Sequence, residues 1–170
     1  MPRAKGNRHR VNNKNTACLE ISNLEGKKSR KPPREKRKLT ITIDSGAAES
    51  VVNERTVPQV PTVPSMGSTA GVQYVNANGS RMPNRGEKRV PVLMGDGTPL
   101  GLKLQVTDVH RTLLSVGKVC DTGHRVVFEE WGGYIENIAT GQQFKFDRRD
   151  GVYRMDVELD EESAVFNGPQ

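Results

Sequence analysis

Aromatic residues and cysteines are scarce in this chain, and each shortage narrows the classes of protein it can be. Aromatics make up 5% of 170 residues, hydrophobic residues 34%, and the mean hydropathy is −0.66. Part of the chain is therefore expected to lie outside any packed core. The two cysteines, Cys18 and Cys120, stand in unrelated contexts, which gives no basis for a disulfide framework. No apolar run approaches the roughly 18 residues of a membrane helix. The N-terminal MPRAKGNRHR is charged where a secretory signal would be apolar. These features predict a soluble, intracellular protein, cytoplasmic or nuclear, with no membrane partner.

Other chemistries lack their residues. His9, His110 and His124 do not fall with the cysteines at zinc-ligand spacing, so no metal and no cofactor is expected. Ser45 and Ser50 have neither a nearby histidine nor a G-x-S-x-G elbow, which argues against a serine hydrolase. Gly95-Asp96-Gly97 lacks the lysine and the strand–helix context of a phosphate loop, and reads as a hairpin turn.

What is present is uneven. Residues 1–38 hold 13 of the 26 basic residues and 3 of the 20 acidic ones, a net charge near +10, while the rest of the chain is near −4. The dense run from Lys27 to Lys38, with little apolar content, predicts a disordered tail. Such a tail is either an arm for non-specific nucleic-acid contact or nuclear targeting, or a solvated linker.

From Leu39 the texture changes. Leu39-Thr40-Ile41-Thr42-Ile43 alternates as a half-buried strand does, and Asp44-Ser45-Gly46 ends it. Further strands are predicted over 72–77, 89–94, 101–106, 125–128, 134–137, 143–146 and 152–157. Turn signals separate them at Asn78-Gly79, Gly95-Asp96-Gly97, Thr122-Gly123, Gly132-Gly133, Thr140-Gly141 and Asp150-Gly151. Many short strands at close spacing indicate an all-β barrel or sandwich. One short helix is predicted, over 115–121. The proline-rich stretch 57–64 predicts an extended loop, and 160–170 a flexible end. Trp131 is expected in core or edge packing, and Cys120 as a buried hydrophobe.

The stretch LTITIDSGAAES carries the chemistry. An apolar strand delivers the Asp44 carboxylate to the end of a rigid element. Ser45 can brace the turn, Gly46 permits close backbone approach, and Ala47 keeps the floor small. Two such carboxylates about 3 Å apart cannot both ionise and share one proton, the arrangement that activates water against a peptide carbonyl. Asp-Ser-Gly alone is also a common turn. Its context adds weight: a polar hairpin, VNANGSRMPNRG (75–86), and then Leu113-Leu114-Ser115 leading into the predicted helix.

In these motifs the chain, from 39 to about 128, resembles the retropepsin family, most closely the Copia-type retrotransposon proteases. LTITIDSGAAES is similar to the catalytic loop, which implies Asp44 as the catalytic aspartate, with Ser45, Gly46 and Ala47 as loop support. VNANGSRMPNRG is similar to the flap, which implies a substrate role for Asn78, Gly79 and Ser80. LLSVGKVCDTGHRVVF resembles the closing element, with Leu113, Leu114 and Ser115 packed behind the site. Residues 134–157 resemble the stretch that follows the Copia protease.

The resemblance implies an all-β, retropepsin-like closed barrel with one short helix. The implied divisions are a tail (1–38), a protease domain (39–129), a C-terminal β-hairpin extension (130–159) and a flexible end (160–170). It further implies an obligate homodimer, because the chain has one Asp-Ser-Gly-Ala, and a polyprotein or peptide substrate. Asp121-Thr122-Gly123 follows a predicted helix and reads as a turn. Some positions depart from the family pattern. Ala48 stands where viral enzymes often carry a second aspartate, Ser115 where many have glycine, and the hairpin is less glycine-rich than viral flaps. SMGSTAG (65–71) is a second candidate for part of the flap. The rival reading is a catalytically inactive module of the same fold, serving dimerisation or peptide binding, with a basic tail for nucleic acid.

Overall fold

The computed structural model describes residues 36–166. The disordered tail expected over 1–38 lies almost wholly outside the described residues.

Eleven strands and three short helices follow one another along the described chain. In order they are β1 (Lys38–Asp44), β2 (Val51–Val52), α1 (Met66–Thr69), β3 (Gln73–Val75), β4 (Arg81–Pro83), β5 (Gly86–Leu93), β6 (Pro99–Val106) and β7 (Thr112–Ser115). Then come α2 (Val116–Asp121), β8 (His124–Phe128), β9 (Gly132–Asn137), β10 (Gln143–Arg149), β11 (Val152–Leu159) and α3 (Glu161–Phe166). The mostly-β character predicted from the alternating patterns is present. Two helices are additional to the expected one: α1, within the SMGSTAG segment, and α3, where a flexible end was expected.

The period-two pattern of β1 is realised as Leu39, Ile41 and Ile43 buried and Lys38 and Thr40 exposed, the alternation that pleating imposes on a strand with one face in the core. Nine strands form one sheet in the order β1-β7-β2-β6-β5-β11-β10-β9-β8, and β11 pairs with β1 as well. The pairings thus lead from β1 through β7, β2, β6, β5 and β11 back to β1. β1 runs parallel to β7 and antiparallel to β11. β3 and β4 form a separate two-stranded sheet.

One hydrophobic cluster draws on almost every strand, including Ile41, Ile43, Val90, Val92, Leu104, Leu114, Phe146, Met155 and Val157. Residues 130–159, expected as an appended hairpin extension, do form hairpins (β9–β10–β11). They are integrated, however: Phe144, Phe146, Met155 and Val157 lie in the same cluster as β1. The physical reason is that β11 offers β1 its antiparallel edge, from Lys38↔Glu158 to Thr42↔Arg154.

Several local expectations are corrected. Gly132 and Gly133, expected as a turn, are buried residues that open β9. A Cβ on Gly133 would stand 2.0 Å from the Val127 carbonyl oxygen, so glycine there serves close backbone approach rather than chain reversal. Trp131 is 54% exposed, because it sits in the β8–β9 connection with its carbonyl accepting from the Arg148 N–H. Cys120 is exposed on α2, since a one-and-a-half-turn helix buries none of its residues fully. The 57–64 loop is docked on the body: Val57 and Val60 are buried, and Val63 bridges Glu87.

Candidate functional site

Asp44 is the last residue of β1, half-buried, and stands in parallel register with Ser115, the last residue of β7. The chain turns directly after it. The Gly46 N–H donates to Asp44 Oδ1 at 2.7 Å, an Asx turn that orients one carboxylate oxygen. A Cβ at Gly46 would lie 3.3 Å from that oxygen, so a bare Cα suits the turn. Ser45 and Gly46 are exposed and Ala47 is half-buried.

Ser115 braces this loop. Its hydroxyl donates to the Ala47 carbonyl at 2.6 Å, 68 residues away in sequence. Its own N–H donates to Ser50 Oγ at 3.0 Å. The same hydroxyl accepts from Lys118 N–H as the N-cap of α2, satisfying one of the donors every helix start leaves unpaired. Lys118 then reaches the Glu49 carboxylate at 3.0 Å, and that carboxylate raises the Lys118 ammonium above its ordinary pKa. The segment 47–50 is therefore held at three residues by β7 and α2. Leu114 is buried in the core cluster and Leu113 half-buried beside it, opposite Thr42 and Val51.

Asn78, Gly79 and Ser80 lie at the tip of the β3–β4 hairpin. Gly79 has φ 84°, and the Ser80 N–H donates to the side-chain oxygens of Asn76 and Asn78, each at 2.9 Å. Among the described residues no hydrogen bond joins this tip to 44–50. The structure thus brings Asp44, Ser45, Gly46, Ala47, Leu113, Leu114 and Ser115 together, with no hydrogen bond among the described residues from them to the tip. Asp121-Thr122-Gly123 closes α2, with Thr122 as C-cap and Gly123 at φ 79°.

A cavity of about 880 Å³ lies beside the loop, lined by Ser50, Tyr74, Asn84, Glu87, Gln105 and Leu114 among others, and not by Asp44. A polar chain runs along its lining, buried at Asn84, Gln105 and Glu87 and half-buried at Tyr74. Asn84 Nδ2 donates to the Tyr74 hydroxyl and to Gln105 Oε1, both at 2.9 Å. Gln105 Nε2 donates to Glu87 Oε2 at 3.4 Å, and Arg89 and Lys103 flank the same carboxylate at 3.4 Å. Burial pushes Glu87 upward, but the Gln105 hydrogen bond and the Lys103 and Arg89 charges outweigh it and hold the carboxyl below its ordinary pKa. Burial, and then the Glu49 charge, raise the Tyr74 hydroxyl above its usual value. Ser50 and Asn84 fall inside quoted motifs but were given no role there, and Tyr74, Glu87 and Gln105 fall in none, so sequence reasoning missed their roles; the charged run Glu87-Lys88-Arg89 that opens β5 ahead of Val90 is the one available signal.

Among the described residues no group of three or more His, Cys, Asp and Glu could hold a metal ion, and no helix is long and apolar enough to cross a membrane. Neither a scan against protein-family models nor searches of curated proteins and of solved structures found a match to the chain.

Proposed function

We propose that this chain is an aspartic endopeptidase of the retropepsin kind, closest in pattern to the Copia-type proteases, that cleaves its parent polyprotein as a homodimer inside the cell. The observation that carries the reading is the setting of Asp44: a carboxylate at the end of an apolar strand, in register with Ser115, on a turn braced at Ala47, Glu49 and Ser50. The circuit of pairings from β1 back to β1 supports the closed barrel, and the β3–β4 hairpin supports the flap.

One chain supplies one Asp-Ser-Gly-Ala, so the dyad needs two copies. In the dimer, the two Asp44 carboxylates share a proton. The ionised member takes a proton from water as that water attacks the peptide carbonyl carbon. The protonated member polarises the carbonyl oxygen, and the leaving amine then receives a proton as the C–N bond breaks. The apparent pKa values belong to the pair. The basic arm, residues 1–38, is proposed to make non-specific nucleic-acid contact, which should vanish on its deletion while proteolysis persists.

A second reading, an inactive module that binds peptides or dimerises, is favoured by one observation: the large cavity does not have Asp44 in its lining. A mixed peptide library at about pH 4 to 6, with wild-type protein and Asp44→Asn, separates the two. Cleavage abolished by the substitution supports the protease. Cleavage that persists in Asp44→Asn, or a protein that stays monomeric at high concentration, sinks it.

A further inference from the structure

The β3–β4 hairpin has three residue pairs and no strand partner in the nine-stranded sheet. A two-stranded ribbon of that size is marginal by itself in water, so its position depends on what ties it down. Its base is tied by backbone bonds: Val72 N–H to the Gly67 carbonyl at 2.9 Å, Asn84 N–H to the Val72 carbonyl at 3.0 Å, and Arg85 N–H to the Val106 carbonyl at 2.8 Å. Thr107 Oγ1 donates to the Pro83 carbonyl at 2.9 Å. Beyond the base, among the described residues, the hydrogen bond that holds 73–82 to anything outside the hairpin is the one at the Tyr74 hydroxyl.

Its partner, Asn84, is buried and uses its whole amide. Oδ1 accepts from the Gly86 N–H at 2.8 Å and from Ser65 Oγ at 3.5 Å, and Nδ2 spends its two hydrogens on Tyr74 and Gln105. The Gly86 N–H requires an oxygen opposite it, which sets the orientation of the amide and aims Nδ2 at the tyrosine. The packing is built to the same point. A Cβ on Gly67 of α1 would stand 2.6 Å from Asn84 Nδ2, so α1 can close on Asn84 because that position is glycine. One side chain thus joins α1, β6 and the hairpin.

We propose that Asn84 is a positioning residue that latches the hairpin beside the cavity, with the Tyr74 hydroxyl as the point it grips. That the hairpin closes on a peptide rests on the protease reading; the latch itself does not. Losing one hydrogen bond of this kind shifts a local opening equilibrium by roughly three- to tenfold.

Amide hydrogen exchange on the full-length protein without substrate tests the latch. Tyr74→Phe keeps the ring and removes the acceptor. Exchange in 73–83 should quicken about three- to tenfold, while amides of 86–106 that open independently of the hairpin keep their rates and the global urea midpoint falls by no more than that one hydrogen bond accounts for. Asn84→Ala should quicken 65–69 as well. Exchange in 73–83 that is unaltered in Tyr74→Phe, or a rise spread evenly over the molecule, overturns the proposal. In peptide cleavage, a latch that closes on substrate raises KM in Tyr74→Phe with kcat little changed. If exchange quickens and wild-type protein cleaves nothing, the latch stands and the protease reading fails.

Discussion

Ser115 donates its hydroxyl to the Ala47 carbonyl at 2.6 Å while accepting the Lys118 N–H at 3.3 Å. One side-chain oxygen therefore braces the turn after Asp44 and starts α2. Ser115 is itself 1% exposed, though both bonds are only part-buried. Ser115→Ala removes both bonds and should cost about 0.5–2 kcal/mol in urea unfolding, from a lost N-cap and the lost hydrogen bond to the half-buried Ala47. A change under ~0.3 kcal/mol would show that the loop does not depend on this oxygen.

Among the described glycines, Gly133 is the one where a methyl group has least room. Its Cβ would meet the Val127 carbonyl oxygen at 2.0 Å and the Phe146 ring at 2.6 Å. Gly133→Ala should lower stability by at least about 1–3 kcal/mol, the usual range for overpacking. The Phe128–Phe146–Tyr153 ring contacts should loosen with it, visible as a changed near-ultraviolet circular dichroism.

Lys88 is 2% exposed, with Nζ donating to the Glu54 and Val57 carbonyls at 2.6 and 2.9 Å. Burial holds its ammonium below the ordinary lysine pKa. Between that lowered value and the ordinary one, near ~10.4, the unfolded chain binds more protons than the folded one. Lys88 thus makes stability rise with pH across this window, and its contribution is least favourable below the folded pKa. Urea titrations from neutral to alkaline pH should show this rise in the wild type relative to Lys88→Met. Equal slopes in the two proteins would refute it. Lys88→Met also leaves the two loop carbonyls without their donor.

Glu87 gives a slope of the same sign in the acid range, but there it is the charged form that the fold favours. Its carboxyl is held below its ordinary pKa, so its stabilisation is complete above the unfolded value, near ~4.3. It is lost as pH falls through the folded value. Glu87→Gln should therefore lower stability most at neutral pH, with the difference from wild type closing as pH falls, so that the acid limb of the stability curve is flatter in the variant. An unchanged acid limb would show that the Gln105, Lys103 and Arg89 contacts do not govern this carboxylate.

Strands were the most legible part of the fold, because alternation is a local signal. Leu39, Ile41 and Ile43 announce β1 and its buried face, and Gly95-Asp96-Gly97 sits where the chain reverses, with Met94 N–H to the Thr98 carbonyl. The short pieces were not legible. β2 is two residues long and α1 is four, too short to show any period. The Gly132-Gly133 pair misled because glycine serves turns and crowded strands alike, and the difference lies in Phe146, outside its neighbourhood in sequence.

The sequence by itself determined that a carboxylate ends an apolar strand on a tight turn, and that an Asn-Gly hairpin and a Leu-Leu-Ser element follow it. These depend on residues within a few positions of one another. Tertiary structure alone decided that Asp44 stands beside Ser115, that β11 closes on β1, and that Asn84 meets Tyr74, Gln105 and Ser65 in one buried network. Register between distant strands and the pairing of buried polar groups follow from how the whole core packs, and no local pattern encodes them.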